Sequence, residues 1–246
     1  MVGRCGEADP VNVLVPEGAL VPGSRVVLDA LEVHHLRVRR AGSGEAVRLL
    51  DGVGGVAEGT LELGRKEAVA LVGAARREPE PLPLLLAIGA GERDRFAWVV
   101  EKAAELGVTE IVPLQTEHTR AVASRIRAAQ VERFRRRTRE AIKQCGATWA
   151  PTVRDPVPLG EFAEEPRTGL RWLAALGGGV PPARFGAEPV AIAIGPEGGF
   201  TSAERGILEG AGFVPIQLGD HVLRFETAAL AAAVYTSIAR KRGLDG

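Results

Sequence analysis

IGPEGGFTSAE, residues Ile194–Glu204, joins an apolar run, Val190-Ala-Ile-Ala-Ile194, to a helix start. Three glycines in five residues let a backbone approach a ligand closely and permit positive φ. Pro196 stiffens the loop. Thr201-Ser-Ala-Glu204 is a capping box, whose hydroxyl and carboxylate satisfy the first free N–H groups of a helix. In open α/β sheets ligands bind at the carboxyl ends of strands, where this loop would lie. A strand-to-helix turn that binds nothing satisfies the same local rules.

The neighbouring sequence repeats the strand-to-helix alternation. Leu84–Ala90 reads as a buried strand, Arg95–Val108 as a helix capped by Gly107, and Glu110–Gln115 as a strand. Ser124–Gly146 reads as a long helix. Gly169–Leu176, Val190–Ile194 and Val214–Gly219 read as strands, and Thr201–Gly210 and Glu226–Arg240 as helices. This alternation predicts a parallel sheet covered on both faces. Before Leu84 the pattern differs. Val11–Pro16, Arg25–Ala30, Glu45–Gly52 and Val56–Leu63 are short β-branched runs punctuated by Gly, Pro and Asp, as in a small β-barrel or sandwich. Ala74–Pro83, charged and holding three prolines, reads as a linker. The expected domains are 1–74 and 75–246.

With 246 residues and 46% apolar content the chain has material for a sizeable core. Lys+Arg and Asp+Glu balance at 31 each, so any nucleic-acid contact must come from a local patch. The two cysteines, Cys5 and Cys145, support neither a disulfide framework nor a CxxC zinc site. The four histidines form no metal-binding pattern, and no metal is expected. No apolar run reaches the roughly 18 residues of a membrane span. The N-terminal residues lack a secretory apolar segment, so a cytoplasmic protein is expected. No GxGxxG follows a strand, and there is no P-loop or GxSxG elbow.

Two further segments carry chemistry. Gln217–Tyr235 runs from a strand end through a glycine loop into an alanine-rich helix, with Arg224 and Glu226 at the junction. Ser124–Lys143 carries eight basic residues against two acids, a phosphate-binding surface or a merely solvated helix face. His34-His-Leu-Arg-Val-Arg-Arg40 is a smaller basic cluster.

On IGPEGGFTSAE and LGDHVLRFETA (Leu218–Ala228) the chain resembles the SPOUT superfamily of methyltransferases. More closely, it resembles the bacterial 16S ribosomal RNA uridine-N3 methyltransferases. HHLRVRRAGSGE near the N-terminus, EKAAELGV (Glu101–Val108) and EAIKQCGATWAP (Glu140–Pro151) extend the match over nearly the whole chain. It departs from the family at Cys145-Gly-Ala147, where a Ser-Gly-Arg-like stretch is usual, at Phe225, where threonine is usual, and at His221.

The resemblance implies an α/β protein: a C-terminal SPOUT-type, trefoil-knotted, mostly parallel sheet with an N-terminal PUA-like β-barrel that binds RNA. Knots are otherwise essentially absent from proteins, so strand spacing alone predicts none. S-adenosyl-L-methionine would be held by Leu173, Ala174 and Ala175, by Ile194, Gly195, Pro196, Glu197, Gly198 and Gly199, and by Leu218, Gly219, Val222 and Leu223. The partners implied are 16S ribosomal RNA or the 30S subunit and a second copy of the chain. His34, Arg37, Arg39, Arg40, Arg120, Arg125, Arg135 and Arg136 are candidate RNA contacts. Arg224 is the candidate to stabilise the charge of a deprotonated uracil. Glu226 would orient it or accept the proton. The rival readings are a SPOUT enzyme acting on another RNA, a non-catalytic RNA-binding assembly protein, and a small-molecule α/β enzyme.

Overall fold

The computed structural model describes residues 10–65, 67–89, 91–120 and 126–244. The chain divides into two compact units. The first comprises residues 1–80 together with Ile142–Trp149, and the second Pro81–Ala141 with residues 150–246.

The first unit holds β1 (Val11–Leu14), β2 (Arg25–Val27), α1 (Ala30–Val38), β3 (Ala46–Leu50), β4 (Gly55–Leu63) and β5 (Ala68–Arg77). The sheet order is β1-β3-β4-β5-β2. The β1–β3 pairing is parallel and the other three are antiparallel. Alternate residues such as Val13, Val47, Leu49, Leu61 and Ala70 form the core, closed by Val33 and Leu36 of α1. Asp29 caps α1 by accepting Glu32 N–H at 2.8 Å. The expected strands are present. The structure adds α1, which contains His34 and Arg37, and β5, whose last four residues lie within the stretch read as linker.

Ile142–Trp149 completes this unit. Lys143 Nζ meets Glu32 Oε1 at 2.8 Å, both side chains being buried. Asn12 Nδ2 donates to Lys143 O at 2.7 Å, and Gly54 N to Thr148 O at 2.8 Å. The Trp149 ring covers Gly54, leaving no room there for a side chain, and the Arg77 guanidinium lies 5.1 Å from the ring centroid.

The second unit contains β6 (Leu84–Ile88), α2 (Arg93–Glu105), β7 (Glu110–Gln115), α3 (Glu117–Arg120), α4 (Ala128–Cys145), β8 (Thr152–Val153), β9 (Val157–Pro158) and α5 (Leu159–Glu164). It continues with β10 (Leu170–Gly179), β11 (Val190–Ile194), α6 (Ser202–Gly210), β12 (Val214–Ile216) and α7 (Phe225–Leu244). The last four residues of α4 are those grouped with the first unit. The sheet order is β12-β10-β11-β6-β7-β8, with β9 also on β7, and every pairing is parallel.

The central strands β6 and β11 are buried at every residue. This follows from helices on both faces. Leu84, Leu86, Ile88, Ile192 and Ile194 face a core built with Phe96 and Val100 of α2 and Ala229, Ala232 and Ala233 of α7. Leu85, Ala87, Ala191 and Ala193 face the opposite core with Phe162 of α5 and Leu208 of α6. The buried positions of α7 recur at three- and four-residue spacing from Phe225 to Ala239 and are mostly alanine, so the helix approaches β6, β11 and α2 closely. Gly107, at φ +75°, turns the chain out of α2.

Candidate active site

The carboxyl ends of β10, β11 and β12 lie side by side and open into a cleft of about 260 Å³. Three loops form it, and each is shaped by backbone that tolerates no added bulk.

The β11–α6 loop turns at Pro196–Gly199, where Gly199 N–H donates to Pro196 O at 2.8 Å and Gly199 adopts φ +71°. A Cβ on Gly195 would stand 3.1 Å from Gly199 Cα and Phe200 N, so a side chain there would press on the loop where it folds back on itself. Thr201 and Glu204 form the capping box read from the sequence. Glu204 does more than cap. Its Oε2 accepts Thr201 N–H at 2.9 Å, while Oε1 accepts Glu117 N–H at 2.8 Å, tying α6 to the start of α3. His118 Nδ1 donates to Gly199 O at 2.9 Å. Gly89, after β6, supports the loop from below: a Cβ there would stand 2.8 Å from Pro196 Cδ.

The other two loops approach each other at β10 and β12. A side chain on Gly178 would meet Ile216 backbone at 2.7 Å. Gln217 N–H donates to Gly179 O at 2.9 Å, and Gln217 Oε1 accepts Gly177 N–H at 3.1 Å.

Leu173, Ile194, Leu218 and Leu223 supply apolar wall, and Glu197, Arg205 and His221 the ionisable side chains. Such a surface suits a flat heterocycle joined to a charged arm. Twelve of the thirteen residues expected to hold the methyl donor line this cleft. The exception is Gly198, which faces the His118 ring, 2.9 Å from where its Cβ would be. Leu176, Phe200, Arg205, Gln217, His221, Phe225 and Ala228 also line it. Gln217 and Phe225 adjoin expected positions and were within reach of the sequence reading. Arg205 carried no local signal, because the face that α6 turns toward the cleft is set by tertiary packing.

Arg224 is exposed, between Leu223 and Phe225, which both line the cleft. Glu226 does not meet it. Its Oε1 pairs with Arg95 Nη1 at 3.3 Å, and its buried Oε2 has no partner among the described residues. Arg95 also holds Glu92 at 2.7 Å.

In the first unit His34, Arg37, Arg39 and Arg40 are exposed. Arg37 donates to Arg65 O at 2.6 Å, and Arg39 lines a groove with Glu45 and Glu58. In the second unit Arg120 is exposed at the end of α3. Arg125 lies outside the described residues. The basic excess of α4 is smaller than its sequence implies. Lys143 is buried against Glu32, and Arg137 pairs with Glu101 at 2.8 Å. Arg135 donates to Val153 O at 3.0 Å and lies 3.6 Å from Glu132 and Asp155. Arg136 is exposed and makes no ion pair among the described residues. Among the described residues no group of three His, Cys, Asp or Glu side chains is placed to hold a metal ion, and no helix is long and apolar enough to cross a membrane.

Comparison with known proteins bears on this architecture. Residues 78–237 match the model of an RNA methyltransferase domain, and residues 28–72 that of an RNA methyltransferase PUA domain. The chain is 33% identical over 232 residues to the ribosomal RNA small subunit methyltransferase E of Synechocystis sp., covering 89% of this chain and 74% of the relative. The crystal structure of the Neisseria gonorrhoeae ribosomal RNA small subunit methyltransferase E, bound to S-adenosyl methionine, superposes with a TM-score of 0.84 at 27% identity, covering 94% and 98% of the two chains. A Legionella pneumophila methyltransferase with bound SAM gives 0.82 at 28%, with the same coverage. The chain shares the fold of these methyltransferases, and residues 28–72 of its first unit are a PUA domain. With a methyltransferase model spanning most of its length and a glycine-walled cleft where three parallel strands end, the chain belongs to the RNA methyltransferase family.

Proposed function

We propose that this enzyme transfers a methyl group from S-adenosylmethionine to N3 of a uracil in 16S ribosomal RNA of the small subunit. The observation that carries the reading is the cleft, built by the three strand-end loops and lined by apolar side chains with an acid and a base at hand. The donor fits it chemically. Adenine matches the apolar wall, and the close-approaching backbone of Gly195–Gly199 and Gln217–Gly219 offers N–H and C=O groups to its polar edges. When bound, the donor supplies a methyl carbon on positively charged sulfur, which leaves as a neutral thioether.

Uracil N3 is a poor nucleophile until it loses its proton. As it does, negative charge spreads onto the flanking carbonyl oxygens, and N3 bonds to the methyl carbon while the carbon–sulfur bond breaks. Arg224, exposed between the cleft-lining Leu223 and Phe225 though not itself lining the cleft, provides the guanidinium for those oxygens. Glu226 acts as a positioning residue. Its ion pair with Arg95 ties the first turn of α7 to the first turn of α2 and so fixes where Arg224 leaves the backbone. The N3 proton passes to solvent at the exposed mouth. The Arg224→Ala variant is expected to bind the donor normally and to lose about a hundredfold in turnover. Normal turnover would refute the role.

The target base must be splayed from its stack to reach the cleft. The first unit, residues 1–80 with 142–149, holds the flanking RNA through α1 and its arginines. The enzyme works as a homodimer in the cytoplasm. Trp98 of α2 and Val234 and Ile238 of α7 are exposed apolar residues on two helices that pack together, a face suited to a second copy.

Incubating the protein with labelled S-adenosylmethionine and, separately, unmodified 30S subunits, naked 16S RNA and transfer RNA tests the reading. N3-methyluridine in digested small-subunit RNA is expected. Label in transfer RNA alone would favour a different substrate, and absence of donor binding a non-catalytic RNA-binding protein.

A further inference from the structure

Arg205 lies on α6, one residue beyond the capping box, and is the one guanidinium or ammonium among the described residues lining the cleft. Its charge is little used within the chain. The nearest acid, Glu209, stands 3.8 Å away, and both side chains are nearly half exposed, a geometry worth little.

We propose that Arg205 binds the carboxylate of the donor's amino-acid arm and so sets the enzyme's preference for a donor that carries one. The proposal rests on the S-adenosylmethionine reading above. The donor has a neutral adenosine end and a zwitterionic end. The apolar wall suits the first. The guanidinium fork of an arginine lining the cleft can meet a carboxylate in plane, with two parallel N–H···O bonds. It would repel the sulfonium and the ammonium, so the carboxylate is the part of the donor that it selects. Glu197, in the loop that leads into α6 and lining the same cleft, has the charge to receive the ammonium.

The test uses binding alone. Calorimetric titrations of the wild-type protein, Arg205→Ala and Arg205→Lys are made with S-adenosylhomocysteine and with its decarboxylated analogue, which keeps the adenosine, thioether and amine. Arg205→Ala is expected to weaken S-adenosylhomocysteine roughly tenfold and the analogue by less than about twofold, with Arg205→Lys between. Equal losses for both ligands, or no loss for S-adenosylhomocysteine, overturn the proposal while leaving the donor reading intact. Failure of the wild-type protein to bind either ligand removes the donor reading itself, and this proposal with it. Thermal melts of the variants confirm the fold, which an exposed position on α6 leaves intact.

Discussion

Replacing Lys143 by methionine tests how the end of α4 is held in the first unit. Nζ lies 2.8 Å from Glu32 Oε1, and the two side chains are 9% and 2% exposed. At an effective dielectric near 20, a pair this close attracts by about 6 kcal/mol. Desolvating each ion costs several kcal/mol, so the intact pair contributes little net stability. Breaking it is another matter. Methionine keeps the stem's volume but leaves a carboxylate buried beside an apolar side chain, at a cost of about 3–5 kcal/mol. In urea unfolding at pH 7 the Lys143→Met variant should lose that much. Pairing it with Glu32→Leu should restore most of the loss, because the charge and its demand for a partner disappear together. Hydrogen exchange at α1 and at residues 142–149 should rise in the single variant. A loss below about 1 kcal/mol, or a double variant no more stable than the single, would refute the argument.

Three other perturbations probe separate elements. Gly89→Ala pushes a methyl group against Pro196 Cδ, 2.8 Å away, and should cost about 1–3 kcal/mol while weakening donor binding; calorimetry and melting together check it, and unchanged values in both refute it. The Arg154 guanidinium, bonded to Glu165 at 2.6 Å, holds that carboxyl below the usual carboxylate range. Its stabilisation is therefore full above the unfolded value near pH 4.3 and is lost as the pH falls through the lower folded value. Glu165→Gln should be less stable at neutral pH and lose less on acidification, and melts from pH 7 to pH 3 that fall as steeply as wild type count against this. Arg136→Glu should weaken 16S RNA binding and lower its salt slope by about one, whereas Arg135→Glu should also destabilise α4, since Arg135 holds Val153 O. An unchanged salt slope returns α4 to a solvated face.

What the sequence disclosed is what local physics determines. Fully apolar runs of five residues in β6 and β11 mark strands covered on both faces, and the Thr201–Glu204 box marks a helix start. Both come from neighbours along the chain. β5 escaped notice because its burial alternates only to Val72 and then runs out through exposed residues to Arg76 and Arg77. It is a strand because β4 and β2 pair with it on either side. How much of the charge of α4 is free could not be read for the same reason. Charge along a helix is countable in sequence, but whether Lys143 or Arg137 faces solvent or an acid depends on Glu32 and Glu101, 111 and 36 residues away.

The site divides along the same line. Its backbone was legible, because a ligand seated against main chain demands glycine, and glycines at 195, 198 and 199 are visible to the eye. Even there Gly198 served a different need, making room for His118. Its side chains were legible only where they sit in the same loops. Glu226 belongs to a conspicuous segment, yet its partner Arg95 comes from the start of α2, 131 residues earlier. α7 is the extreme case. The helix spacing of α7 and its alanines would be the same whether or not the chain threads a loop to reach β6 and β11. Alanine tells how closely the helix can lie on the sheet, not the path by which it arrives. A fold whose cleft is made where three strands end therefore shows its loop glycines in sequence and keeps its charged contacts for the structure.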